Sequence, residues 1–134
     1  MEPWLCFFDV DGTLEFRDHD PITAPEDIAA LRESLNQVYC DEKVGDYILE
    51  IVFKTREASE FIQCGASPRA TLALNLSARG CALLHGRPYA TPQDVKEVVH
   101  DVLRHRILLT YEAEAENMTS DMIIDKILNE VPVP

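Results

Sequence analysis

No stretch of this sequence approaches the roughly 18 apolar residues needed to cross a bilayer, so no transmembrane helix is expected. Basic residues are scarce. Lys and Arg number 12 against 24 Asp and Glu, a formal net charge of −12. That balance argues against unaided binding to nucleic acid or to an anionic membrane, and reads as a solvated acidic surface. No Gly-x-x-x-x-Gly-Lys-Ser/Thr loop occurs, so the chain by itself has no cradle for a nucleoside triphosphate and is expected to be inactive alone. Cysteine is sparse too. Cys6, Cys40, Cys64 and Cys81 make no paired metal-ligand spacing, and are read as reduced thiols of a cytoplasmic protein with no metal site. Trp4 to Phe8 is too short, and wrongly flanked, for a signal peptide. There is no internal repeat and no low-complexity segment.

What remains is a series of helices. A chain of 134 residues can bury one modest core. Thr23-Ala24-Pro25-Glu26 reads as a capping box, opening a helix with Ile28, Leu31, Leu35 and Val38 on one face. A second helix is expected from near Asp41 to near Arg56, with Val44, Tyr47, Ile48, Ile51 and Val52 inward. A loop follows from Glu57 to Gly65. Residues 67 to 85 form the most apolar helix, with Leu72, Leu76 and Leu83 along one side and Ala73, Gly80 and Leu84 adding width. An all-round apolar helix belongs in the middle of its domain. Gly86 is the expected C-cap glycine. Thr91 and Pro92 open a fourth helix marked by Val95, Val98, Val99 and Val102. Arg87 to Tyr89 is expected to pair with an extended Arg104 to Leu109. Glu112 to Asn117 reads as a polar loop. Thr119 caps a last helix with Ile123, Ile124, Ile127, Leu128 and Val131 inward, which Pro132 stops. The expectation is a mainly α fold: a compact bundle of about five helices with at most one short two-stranded β element.

The segment Gly65-Ala66-Ser67-Pro68-Arg69-Ala70 carries the most chemistry. Ser67 suits an N-cap, and Pro68 suits the first helical position, where a missing N–H costs nothing. Arg69 then lies in the first turn of a long helix. The N-terminal end of a helix already carries partial positive charge, so a guanidinium there is a poor choice for helix stability. It makes sense if helix start and arginine face an anion, most often phosphate. On these six residues alone, the simpler alternative is a solvated arginine whose stem packs locally.

Further motifs lie downstream. They are Gly86-Arg87-Pro88-Tyr89-Ala90-Thr91-Pro92-Gln93-Asp94-Val95, Leu103-Arg104-His105-Arg106, and the terminal Val131-Pro132-Val133-Pro134. With the helix-opening Ser67-Pro68-Arg69, and in this order and spacing, they resemble the C-terminal lid of MoxR-type AAA+ ATPases. The resemblance runs from about Pro21 to Pro134. It implies that Arg69 is the sensor-2 arginine, reaching the terminal phosphate of ATP bound between lid and core, with Ser67 and Pro68 beside the phosphates. It also implies ATP and Mg²⁺ in the full-length protein, and a nucleotide-binding core of the same protein as partner. Neighbouring subunits of a hexameric ring, an unnamed client, and a chaperone role in maturing protein complexes follow in the same way.

Residues 1 to 20 stand apart. Trp4-Leu5-Cys6-Phe7-Phe8-Asp9-Val10-Asp11-Gly12-Thr13-Leu14 resembles the first motif of haloacid-dehalogenase-type phosphatases. There the residue matching Asp9 is the nucleophile, and the residue matching Asp11 the general acid/base beside Mg²⁺. Such an enzyme also needs a multi-stranded parallel sheet, a phosphate-binding Ser/Thr and Lys, and later acidic metal ligands. The helices that follow supply none of these. The division expected is therefore residues 1–20, foreign to the bundle, and residues 21–134, the lid. Two alternatives are a phosphatase fragment using Asp9 and Asp11, and a helical adaptor that binds partners without nucleotide. An adaptor would have no need of Arg69.

Other constellations read more plainly. His100 and His105 are five apart, poor geometry for two ligands on one helix face. Arg104 and Arg106 sit near a helix end, where positive charge is favourable. All four are assigned surface or capping roles. Asp94 reads as a helix-start carboxylate, and Met118 and Met122 as core filler.

Overall fold

Short polar side chains just ahead of apolar stretches set most of the helix starts. The computed structural model describes the backbone of residues 7–8, 14–15, 21–23, 25–57 and 59–134, which divide into two compact units, residues 1–37 and 38–134. In the first unit, β1 (Phe7–Phe8), β2 (Leu14–Glu15) and β3 (Pro21–Thr23) form an antiparallel sheet in that order, and α1 spans Pro25–Gln37. Of the apolar residues expected inward on α1, Ile28 and Leu35 are half-buried, while Leu31 is exposed. The side chain of the expected cap Thr23 lies outside the described residues, and the expected boundary after residue 20 falls inside this unit.

The second unit runs β4 (Tyr39–Cys40), α2 (Glu42–Lys54), β5 (Ile62–Cys64), α3 (Pro68–Leu84), β6 (Tyr89–Ala90), α4 (Pro92–Leu103), β7 (Leu108–Leu109), α5 (Tyr111–Ala115) and α6 (Ser120–Glu130). The mainly α expectation holds. Asp41 caps α2, its carboxylate accepting from the Lys43 N–H at 2.9 Å. The Thr110 and Thr119 hydroxyls cap α5 and α6. The main core cluster takes Val44, Tyr47, Ile48, Ile51 and Val52 from α2, Leu74 from α3, Val95, Val99 and Leu103 from α4, and Ile123, Ile124 and Ile127 from α6, and a smaller one joins Val38, Ala82 and Ala90. These α2, α4 and α6 faces are as the periodicity predicts, because large apolar residues there recur at three- and four-residue steps.

The reading of α3 needs correction. Its buried residues are Ala70, Leu74, Ala78 and Ala82, one four-residue ladder made mostly of alanine. Leu72, Leu76 and Leu84 face outward, Leu72 at 72% and Leu84 at 90% exposure. Small side chains at three of the four inner positions let α2 and α4 approach the middle helix closely, with Leu74 the one large residue on that face. Hydrophobicity alone therefore points to the wrong face.

The element count differs as well. There are six helices among the described residues, since Tyr111–Ala115 forms a short helix that runs into the loop expected over Glu112 to Asn117. Two ladders replace the single one expected in this unit. Tyr39–Cys40 pairs in parallel with Tyr89–Ala90, and Ile62–Cys64 pairs antiparallel with Leu108–Leu109. The end of α3 explains the first. Gly86 adopts φ of 69°, the Gly86 N–H donates to Leu83 O at 2.9 Å, and the Arg87 N–H donates to Ala82 O at 2.9 Å. This is a Schellman cap. The chain leaves it beside β4, where the Tyr39 N–H reaches Pro88 O at 2.8 Å.

Candidate functional site

The start of α3 is held from behind and open in front. The buried Thr55, just past α2, donates its hydroxyl to Val52 O at 2.7 Å and accepts the Ala66 N–H at 2.9 Å. Arg56 Nε donates to Ala66 O at 2.6 Å. Between them Gly65 passes so close to α2 that a Cβ would lie 2.2 Å from Thr55 O, which only glycine avoids. Both backbone groups of Ala66 are therefore tied to the end of α2, directly before Ser67.

In front, Ser67, Pro68 and Arg69 are all exposed. Ser67 occupies the N-cap with extended backbone (φ −74°, ψ 164°), but its hydroxyl makes no capping bond, and the first turn contains no acidic residue. The Ala70 N–H turns back to Ser67 O at 2.9 Å. Arg69 has no hydrogen-bond or ion-pair partner among the described residues. A free guanidinium beside a helix start without its own carboxylate is an arrangement that can hold an anion.

The start of α4 is the opposite case. Thr91 and Asp94 form a reciprocal capping box: the Asp94 N–H donates to Thr91 Oγ1 at 3.4 Å, and the Thr91 N–H donates to Asp94 Oδ2 at 2.7 Å. Asp94 is fully buried. Arg87 grips it with both terminal nitrogens, at 2.9 and 2.5 Å, and Thr91 Oγ1 lies 2.8 Å from Oδ2. Burial by itself would raise the carboxyl pKa. The bonds from Arg87 and Thr91 outweigh it and hold the group at about 2. The Gly-Arg-x-Tyr-x-Thr-Pro-x-Asp-Val segment is thus a sealed ion pair joining the end of α3 to the start of α4. Sequence reading found the cap but not the partner, because nothing in a spacing of seven marks Arg87 for Asp94.

The remaining candidates make no bond to Ser67, Pro68 or Arg69 among the described residues. His100 Nε2 meets Asp125 at 2.8 Å, and Arg104 meets Asp121 at 2.8 Å and Asp101 at 3.2 Å, so these residues join α4 to α6 at the surface. Arg106 keeps a buried Nε with no partner, and His105 is exposed. Met118 packs against the core as expected, but Met122 points outward. Asp9 and Asp11 lie outside the described residues. No helix among the described residues is long and apolar enough to cross a membrane.

Comparison with known proteins accords with this geometry. Residues 54–127, from the end of α2 into α6, match the AAA lid domain family. The chain is 37% identical to the chaperone MoxR1 of Mycobacterium tuberculosis over 121 residues, covering 84% of this chain and 32% of that protein. It is 40% identical to the protein MoxR of Paracoccus denitrificans over 80 residues, covering 58% of this chain and 23% of that protein. A crystallised ATPase candidate from Cytophaga hutchinsonii superposes with a TM-score of 0.79 at 37% identity, over 86% of this chain and 37% of its own. The chain spans about a third of the length of the first curated relatives it matches. With the open α3 start and the sealed α4 start both inside the matched residues, the chain belongs to the AAA lid domain family and is a lid of the MoxR type.

Proposed function

We propose that this lid closes over ATP bound to a nucleotide-binding core of the same protein, and that Arg69 is its sensor-2 residue. The observation that carries the reading is the exposed, unpartnered Arg69 on a helix start whose backbone is tied down through Ala66. A guanidinium so placed would meet the terminal phosphate and stabilise the charge that spreads over its oxygens during transfer. Ser67 and Pro68 would border the phosphates. The chain has no phosphate-binding glycine loop, so the cradle, with its Mg²⁺, belongs to the core domain. The whole protein would be an ATP hydrolase, assembled as a hexameric ring and acting as a chaperone in the maturation of protein complexes. The exposed Leu72 and Leu76 on α3 support a partner surface of this kind.

The test joins the lid to its ATPase core. Arg69→Ala is expected to lower turnover roughly a hundredfold or more, as for an arginine acting on a transferring phosphoryl group. Arg69→Lys rescues poorly, since an ammonium lacks the planar fork. The chain alone hydrolyses neither ATP nor a generic phosphate ester. Unchanged turnover in Arg69→Ala overturns the assignment. Phosphatase turnover abolished by Asp9→Asn would turn the reading toward the N-terminal motif.

A further inference from the structure

At the far end of α3 from Arg69, three side chains converge, and only the packing of α4 on α3 brings the third to the other two. Cys81 and His85 are one helical turn apart on α3, and Glu97 comes from the second turn of α4. Cys81 Sγ lies 3.2 Å from Glu97 Oε2 and 3.7 Å from His85 Nδ1, and all three ligand atoms fall within 4.8 Å of one another. A tetrahedral zinc ion, with sulfur at about 2.3 Å and nitrogen or oxygen at about 2.1 Å, leaves adjacent ligand atoms roughly 3.5 Å apart. The two measured edges bracket that value. The donor set of thiolate, imidazole and carboxylate suits a borderline-soft cation. The surroundings also fix the backbone positions of the ligands, while the His85 and Glu97 side chains are exposed. His85 is the C-cap of α3, held by the Gly86 turn, and Glu97 rides on a helix whose start is locked by Thr91, Asp94 and Arg87.

We propose that Cys81, His85 and Glu97 form a zinc site that clasps the end of α3 to the start of α4, with water completing the tetrahedron. Asp94, 3.9 Å from His85 Nδ1, is not a ligand, since Arg87 and Thr91 already occupy its oxygens. Binding forms a zinc–sulfur bond, breaks the S–H bond of Cys81 and releases its proton to water. The site is independent of the nucleotide reading. Twelve residues of helix separate Cys81 from Arg69, about 18 Å of rise.

Titrating zinc chloride into the reduced full chain, followed by calorimetry, is expected to show one equivalent bound. Cobalt chloride gives a sulfur-to-metal charge-transfer band with tetrahedral d–d intensity. Cys81→Ser removes the band, and Cys81→Ser and Glu97→Gln each weaken zinc binding at least about tenfold. Cys64→Ser, an exposed thiol outside the cluster, leaves binding unchanged. In the wild-type chain, zinc protects Cys81 from alkylation by iodoacetamide, mapped by mass spectrometry, so the result does not hinge on a variant's folding. Absence of zinc binding, a cobalt band that survives Cys81→Ser, or alkylation of Cys81 undiminished by zinc would overturn the proposal.

Discussion

Two proline-opened helices, α3 and α4, begin with the same grammar and end up in opposite states. Ser67-Pro68-Arg69-Ala70 opens α3, and Thr91-Pro92-Gln93-Asp94 opens α4. In both, the third helical residue is fully buried: Ala70 in one, Asp94 in the other. At α4 that residue is a carboxylate that returns a bond to the cap and takes a bidentate arginine. At α3 it is an alanine packed into the core, so no capping box can form, and the only charge in the turn is positive and exposed. One helix start satisfies itself. The other leaves its partial positive charge without a capping side chain or a first-turn carboxylate. An arginine near a helix start is therefore informative only once its carboxylate, or the lack of one, has been located.

The contrast can be broken most severely at α4. Asp94→Ala removes the box and leaves Arg87 without its partner; it is expected to cost about 3 kcal/mol, read as a lowered urea midpoint. A gentler break uses acid. The folded pKa of Asp94 lies below its unfolded value, so its contribution is complete above about pH 4 and is lost as pH falls toward about 2. That contribution is roughly 2 kcal/mol, so the stability difference between wild type and Asp94→Asn in urea melts should shrink by about that much as pH falls across the window. A wild-type curve parallel to that of the variant would show that the pair contributes nothing. At α3 the contrast can be sharpened instead. Ser67→Asp supplies the missing carboxylate at the cap, and is expected to stabilise the isolated lid by up to about 1 kcal/mol while lowering turnover of the assembled ATPase. Gains in both would mean that no anion docks there. Smallest of all, Arg69→Ala should change lid stability by less than about 0.5 kcal/mol in thermal melts. A lid that unfolds without Arg69 would make the residue structural.

Much of this arrangement was legible beforehand, and the failures have physical causes. The cores of α2, α4 and α6 follow from periodicity because their buried residues are large, as with Tyr47, Val99 and Ile124. The caps Asp41, Thr91 and Thr119 follow because short polar side chains act locally. The inner face of α3 does not, since alanine scores as weakly apolar while Leu72 and Leu84 score strongly and stand in solvent. Pairings across distance were invisible as well. Thr55 with Ala66, Arg87 with Asp94, and Cys81 with Glu97 depend on which helices pack side by side, and no local signal encodes that. Arg69 draws attention in the sequence because its position is odd for its own helix. Thr55 and Gly65, which brace the turn before it, raise no such flag.

That bracing has a mechanical consequence. Because Ala66 is tied to the end of α2 through both its N–H and its carbonyl, Arg69 cannot swing as a loop residue would; its backbone moves only when the lid moves. With 17 residues, α3 is a rod of about 25 Å. A rotation of about 10° around its far end would carry the N-terminus through about 4 Å, more than the length of a hydrogen bond. If Arg69 meets a phosphate as proposed, small changes in lid angle on such a lever would make or break that contact, and the guanidinium would work as a switch with two settings and little in between.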